Sequence, residues 1–284
     1  MEDLIWAAGY EARTLTWSTL ALEAGVDCDC HPRTIQRALG TLGYRKCIAC
    51  EKRWVSPLSA ARRLVDAKKA LELRPRPEDW RDVRFSDEVQ FSLGPEGKAR
   101  IIRKPGERAC PDCVQETVEP QSRDKKRLHA WAAIGYDFKS DLVFYEVPGN
   151  SNGKLTQEAY RDQILEPHVK PWIEAGHQFV LEEDGDSGHG PGKGQNPVRV
   201  WKQDNGLKSY FNTPGSTDLS PIENAWKVPK QHIRRHAVWD DQELRSLAIE
   251  AWKSLSQDTI NRWIDSMPQR MEDVVAMEGR MTGH

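Results

Sequence analysis

Residues 83–91, VRFSDEVQF, alternate cleanly: Val83, Phe85, Asp87, Val89 and Phe91 share one face, and Glu88 lies on the other. A period of two predicts a β-strand with one buried face. Further strands are predicted over ARIIRK (99–104), LHAWAAIG (128–135), DLVFYEV (141–147) and QFVLEED (178–184), with a short one near 209–211. A helical segment over about 156–176 separates the last two long strands, and helices near 222–236, 241–255 and 258–266 close the chain.

Ahead of the strands the period is helical. TWSTLALEAGV (16–26) reads as a short amphipathic helix ending near Gly25, and DCDCH follows as a turn that holds Cys28 and Cys30. Pro32 then opens PRTIQRALGTL, with Ile35, Leu39 and Leu42 on one face and Arg33, Gln36 and Arg37 elsewhere. Two short helices around a tight turn form the helix-turn-helix pattern, whose second helix enters the major groove; an ordinary helical hairpin is the alternative. Arg and Gln suit base edges because they bond guanine and adenine bidentately. With Arg45 and Lys46 just beyond, Arg33, Gln36 and Arg37 make up the candidate DNA contacts.

Ser56-Pro57 opens a basic helix through about Leu73 that carries Arg62, Arg63, Lys68 and Lys69. The RPRP of 74–77 cannot continue it, which places a domain boundary there: a helix-turn-helix region with basic helix and linker over 1–77, and a second domain over 78–284. The order within that domain is strands, a helix, a strand ending in Asp184, a short strand and then helices. This predicts an α/β fold, a mixed sheet of the RNase H-like kind, preceded by a small all-α domain. In such a sheet the first strand and the strand after the first helix lie side by side, so carboxylates on them can meet.

Composition sharpens this at one point. The net charge of the 284 residues is −2, yet residues 30–77 hold twelve Lys/Arg against three Asp/Glu, and a locally basic region on a nearly neutral chain suggests a nucleic-acid contact or a solvated face. No apolar run approaches the roughly 20 residues of a membrane span, and MEDLIWAAGYEART has no secretory signal pattern. The six Cys are expected as reduced thiols or metal ligands. Cys47 with Cys50 and Cys110 with Cys113 form two CxxC pairs, the ligand set of a Cys₄ zinc site, or else four thiols in unrelated places.

Three acids draw attention. Asp87 sits among apolar side chains, where a carboxylate is costly unless compensated, for instance by a divalent cation; an edge-strand Asp leaning into solvent reads the same way. Asp184 ends a strand before the Gly-rich turn GDSGHG, a favoured place for active-site groups and also an ordinary turn. Glu223 follows Ser220-Pro221, where it could close a capping box at a helix start. GDSG (185–188) lacks the all-β context of a serine-protease nucleophile, and GHGPGKG (188–194) breaks the phosphate-loop spacing after Lys193.

FSDEVQF, EEDGDSGH and STDLSPIENAWKVPK, with RKPGER (103–108) and the basic helical region before them, resemble the blocks of the mariner superfamily of DDE transposases. The resemblance covers about residues 16–275. It implies that Asp87, Asp184 and Glu223 are the three catalytic, metal-binding acids, with His189, five residues after Asp184, fixing the register of the second block. The family's usual Asn-Ala-Pro reads Gly185-Asp186-Ser187 here, and the gap between the second and third acids is a few residues longer.

The resemblance further implies two Mg²⁺ or Mn²⁺ ions, Asp87 bridging them and Asp184 and Glu223 completing one side each. A pair of such ions about 4 Å apart activates the nucleophile and stabilises the leaving oxyanion. Implied too are hydrolysis at element ends, strand transfer into target DNA at TA, binding of terminal inverted repeats, a homodimer when paired on DNA, and nuclear location. The family generally carries two helix-turn-helix units, so one implies a fungal-like, N-terminally shortened copy. A DNA-binding protein of transposase descent without catalysis, or an RNase H-like nuclease without strand transfer, are the other readings of the same residues.

Overall fold

The structure is a computed structural model and describes residues 1–26, 31–46, 54–93, 127–147, 154–192, 194, 196–234, 236, 238 and 240–284. The chain forms two compact units, Met1–Lys52 and Arg53–His284.

In the first unit, helices α1 (Glu2–Ala7), α2 (Gly9–Thr14), α3 (Trp17–Glu23) and α4 (Pro32–Thr41) surround a small core of Ile5, Ala12, Leu20, Ala21, Ile35 and Leu39. The two predicted helices start where their caps place them. Thr16 accepts from the Thr19 N–H at 3.1 Å, and the His31 Nδ1 accepts from the Arg33 N–H at 3.2 Å, ahead of Pro32. Leu42, expected on the buried face, is 58% exposed because α4 ends before it. α1 and α2 escaped the sequence reading, since six residues are too few to display a helical period. Arg33, Gln36, Arg37, Arg45 and Lys46 are all exposed. Cys28 and Cys30 lie outside the described residues.

The second unit begins earlier than the RPRP segment suggests. Helix α5 (Pro57–Leu73), capped by Ser56 at 3.1 Å, packs against α12 (Met267–Ala276), so it belongs to this unit's core and the parting of the chain falls after Lys52. Arg63, expected on a basic solvent face, is wholly buried. Its guanidinium makes a bidentate pair with Asp218 at 2.9 and 2.8 Å and donates to the Gly279 carbonyl.

Among the described residues, six strands form one mixed sheet: β1 (Val83–Ser92), β2 (Arg127–Gly135), β3 (Phe138–Lys139), β4 (Val143–Tyr145), β5 (Val180–Glu183) and β6 (Lys208–Phe211). The order is β3-β2-β1-β5-β6, with β4 also on β2. β1 runs antiparallel to β2, which sets Asp87 opposite Ala132, and parallel to β5, which sets Val83 beside Val180. The expected strand over 141–147 shrinks to the three residues of β4 that pair with β2; the expected strand over 99–104 lies outside the described residues.

Both faces of the sheet are covered. Val83, Phe85, Val89 and Phe91 of β1 and the even-numbered residues of β2 meet α9 (Ile222–Ile233), α10 (Asp241–Ser254), α11 (Gln257–Asp265) and α12 in one core. Trp131 and Ala133 face a second core on the other side. Burial on both faces is why β2 reads as a continuous apolar run rather than an alternation. The second core is closed by α6 (Gln157–Tyr160), a wider-turned stretch Arg161–Val169, α7 (Lys170–Glu174) and α8 (Pro197–Asp204). Pro167, which has no N–H to donate, lies in the wide stretch and accounts for the departure from regular α turns.

Candidate active site

The strict alternation of β1 puts the Asp87 side chain toward α9, where the Trp226 Nε1–H donates to Asp87 Oδ2 at 3.0 Å. Burial, and then the charges of Glu88 and Glu223, push the Asp87 carboxyl well above the usual carboxylate range. Glu223 occupies the first turn of α9 and does not close a capping box. The helix starts from Pro221 without a side-chain cap, and Ser220 bonds Glu182 instead. Between a local cap and the acid on β1, the carboxylate lies near the acid.

Asp184 follows β5 directly, and the parallel pairing of β5 with β1 brings it to the same end of the sheet as Asp87. Its side chain is 58% exposed. Oδ1 accepts from the Asp186 N–H at 3.0 Å and lies 2.7 Å from His189 Nδ1. The His189 bond, working against burial, holds the Asp184 carboxyl below its ordinary value. Asp186 is spent on the turn itself, accepting from the Gly188 N–H at 2.8 Å and pairing with Lys154 at 3.2 Å.

Asp87, Asp184 and Glu223 all line one open cleft of about 390 Å³. Glu182 joins them, and the sequence reading missed it. It is 3% exposed, accepts from Tyr210 at 2.9 Å and Asn212 at 3.3 Å, and burial raises its pKa to about 7. The signal was present in EED at the strand end, because a period of two puts residues 182 and 184 on one face. Trp226 was missed as well, although it lies three residues from Glu223 on the same face of α9.

The donors on this cleft suit a hard divalent cation: carboxylate oxygens, with Asp87 pushed up by burial and by the charges of Glu88 and Glu223. Among the described residues no three His, Cys, Asp or Glu side chains stand close enough to form a ready ligand shell. The three acids share a cleft without being gathered into a cage. Cys47, Cys50, Cys110 and Cys113 lie outside the described residues, and the zinc expectation finds no support.

Comparison with known proteins gives the same direction. A family model described as "DDE superfamily endonuclease" matches residues 82–245, the stretch that carries all three acids. The Tc1 transposase of Caenorhabditis elegans is 26% identical over 259 residues, covering 88% of this chain and 87% of that one. The Tcb1 transposase of Caenorhabditis briggsae is also 26% identical, over 253 residues, with 88% and 87% covered. Among solved structures, the Mos1 transposase paired-end complex with the left transposon end superposes with a TM-score of 0.73 at 14% identity, covering 99% of this chain and 79% of that chain. The catalytic domain of Mos1 mariner transposase gives 0.58 at 15% identity, covering 82% and 100%. The expected α/β fold, an RNase H-like sheet preceded by a helical region, is therefore the fold observed. On the family match, with its strand-borne acids on one cleft, the chain belongs to the DDE superfamily of endonucleases, and it is similar to the mariner-superfamily transposases.

Proposed function

We propose that this protein is a cut-and-paste DNA transposase whose catalytic acids are Asp87, Asp184 and Glu223, holding Mg²⁺ or Mn²⁺. The observation that carries the reading is the shared cleft: three carboxylates far apart in sequence line it together, from β1, the end of β5 and the first turn of α9. When bound, a pair of divalent ions would activate the attacking oxygen and stabilise the leaving one at a phosphodiester. Trp226 steadies Asp87 through its indole N–H, and the Asp186 amide steadies Asp184. The exposed Arg33, Gln36 and Arg37 of α4, with Arg45 and Lys46, would bind terminal inverted repeats, with each phosphate contact making binding salt-dependent. The similar Mos1 structures are paired-end complexes, with Mn or Mg, which supports DNA binding by a paired dimer and a divalent ion for this chain. Insertion at TA and action in the nucleus complete the proposal.

The test is nicking of a DNA that carries the inverted repeats flanking the gene. Wild type should nick it only with Mg²⁺ or Mn²⁺, and Asp87→Asn should bind it without nicking. Binding without nicking by wild type, unchanged in Asp87→Asn, would leave a DNA-binding protein of transposase descent.

A further inference from the structure

Behind Asp184, on the side of the sheet away from α9, lies a buried polar cluster that the three acids do not account for. At its centre is His189, 3% exposed. One ring nitrogen, Nδ1, is 2.7 Å from Asp184 Oδ1, and the other, Nε2, is 3.1 Å from Glu88 Oε1. Glu88 is the neighbour of Asp87 on β1, and strand alternation turns it to the opposite face. A Glu-His-Asp bridge therefore runs from the strand of the first acid to the carboxylate of the second.

The surroundings hold the imidazole in place. Tyr160 meets it edge to face, with ring centroids 4.5 Å apart. The Tyr160 hydroxyl donates to Glu183 Oε1 at 2.7 Å; Lys202 bonds the other Glu183 oxygen and donates to the His189 carbonyl at 3.2 Å. Two glycines bracket the ring. A Cβ at Gly188 would sit 2.5 Å from the Leu155 carbonyl oxygen, and Gly190 has φ +71° with Asn196 Oδ1 2.5 Å from where its Cβ would be. Only glycine fits either place without displacing the turn.

We propose that His189 is a positioning residue for Asp184, and that Glu88 fixes His189. The inference rests on Asp184 being an ion-holding acid, as proposed above. A half-exposed aspartate has two free side-chain torsions. His189 and the Asp186 amide both engage Oδ1, which fixes those torsions and leaves Oδ2 to a ligand in the cleft. Outer partners of this kind orient metal-holding carboxylates, and losing them typically weakens the ion about 10- to 100-fold.

Two substitutions separate positioning from space filling. His189→Asn keeps an amide N–H where Nδ1 was and loses the reach to Glu88; His189→Gln places its amide where Nε2 was and loses the donor to Asp184. Mn²⁺ binding to the full chain without DNA is measured by calorimetry, beside the Mn²⁺ dependence of nicking and thermal unfolding in chelator. His189→Gln should weaken Mn²⁺ about 10- to 100-fold, His189→Asn less, and Glu88→Gln in the same direction with unfolding close to wild type. Equal losses in Asn and Gln, or unchanged Mn²⁺ binding in a folded His189→Gln, would overturn the proposal. If His189→Gln does not fold, unchanged Mn²⁺ binding in Glu88→Gln overturns it instead. Asp184→Asn and Asp87→Asn serve as controls. If neither alters Mn²⁺ binding, the assignment of the acids fails; if both do and the His189 and Glu88 variants do not, only the positioning role fails.

Discussion

Burial, then the charge of Glu88 and that of Glu223, raise the cost of ionising Asp87, so Asp87 and Glu223 stand close enough to repel. Two like charges held in a cleft destabilise the metal-free fold. The start of α9 has no side-chain cap from its N-cap residue, Pro221. Neutralising Glu223 should relieve the repulsion with Asp87 in the metal-free protein while abolishing nicking. Urea unfolding of Glu223→Gln in chelator checks this, and a loss of about 1 kcal/mol, the size of a missing helix cap, would contradict it. The type of each acid and its place along the chain were legible in the sequence, and the strand order with the motif resemblance already implied that they meet; local rules alone left Glu223 open between a cap and the cleft. Ser-Pro-Ile-Glu satisfies a local capping rule so well that only the position of Ser220, bonded to Glu182, shows the rule is not used. Glu182 and Trp226 share faces with Asp184 and Glu223 by simple periodicity, yet periodicity does not reveal which shared faces look into a cleft.

Among the elements, α5 is held by a contact no local rule contains. Arg63 on α5 pairs with Asp218 just before α9, and Asp218 Oδ2 also accepts from the N–H and hydroxyl of Thr282 at 2.9 and 2.8 Å. The pair thus ties α5, the start of the Glu223 helix and the C-terminal residues together. Removing one partner of a buried pair typically costs about 3–5 kcal/mol, and Arg63→Met should approach that in urea unfolding. Arg63 and Thr282 outweigh burial and hold the Asp218 carboxyl below its ordinary value. A depressed folded-state pKa means the stabilisation is fully present above the unfolded value, about 3.9, and is lost as pH falls through the folded value. The advantage of wild type over Asp218→Asn, measured by unfolding across pH, should hold at neutrality and shrink once pH drops below about 4. A gap that persists at lower pH would mean that the pair contributes nothing through its charge. From the sequence, α5 and its Ser56 cap were plain, whereas its burial was not: Arg62, Arg63, Lys68 and Lys69 look alike in a helical wheel, and only packing against α12 selects Arg63 as the internal one.

For the whole molecule, the compact units Met1–Lys52 and Arg53–His284 place the boundary ahead of α5. A fragment of residues 53–284 should express as a folded protein with a cooperative thermal transition. A fragment of 78–284 lacks α5, strands Asp218 as a buried charge without its Arg63, and uncovers the α12 face, so it should unfold or aggregate. Comparable transitions in both fragments would return the boundary to the Pro-Arg linker. The sequence by itself determined the long described strands, most of the helices and the family, and marked the three candidate acids, because alternation, caps and short motifs are local and survive without neighbours. Tertiary structure alone decided that Glu182 enters the cleft, that His189 spans Glu88 and Asp184, and that Arg63 is internal. Each of those depends on which distant side chain is the nearest partner once water is removed, and that is a property of packing rather than of order along the chain.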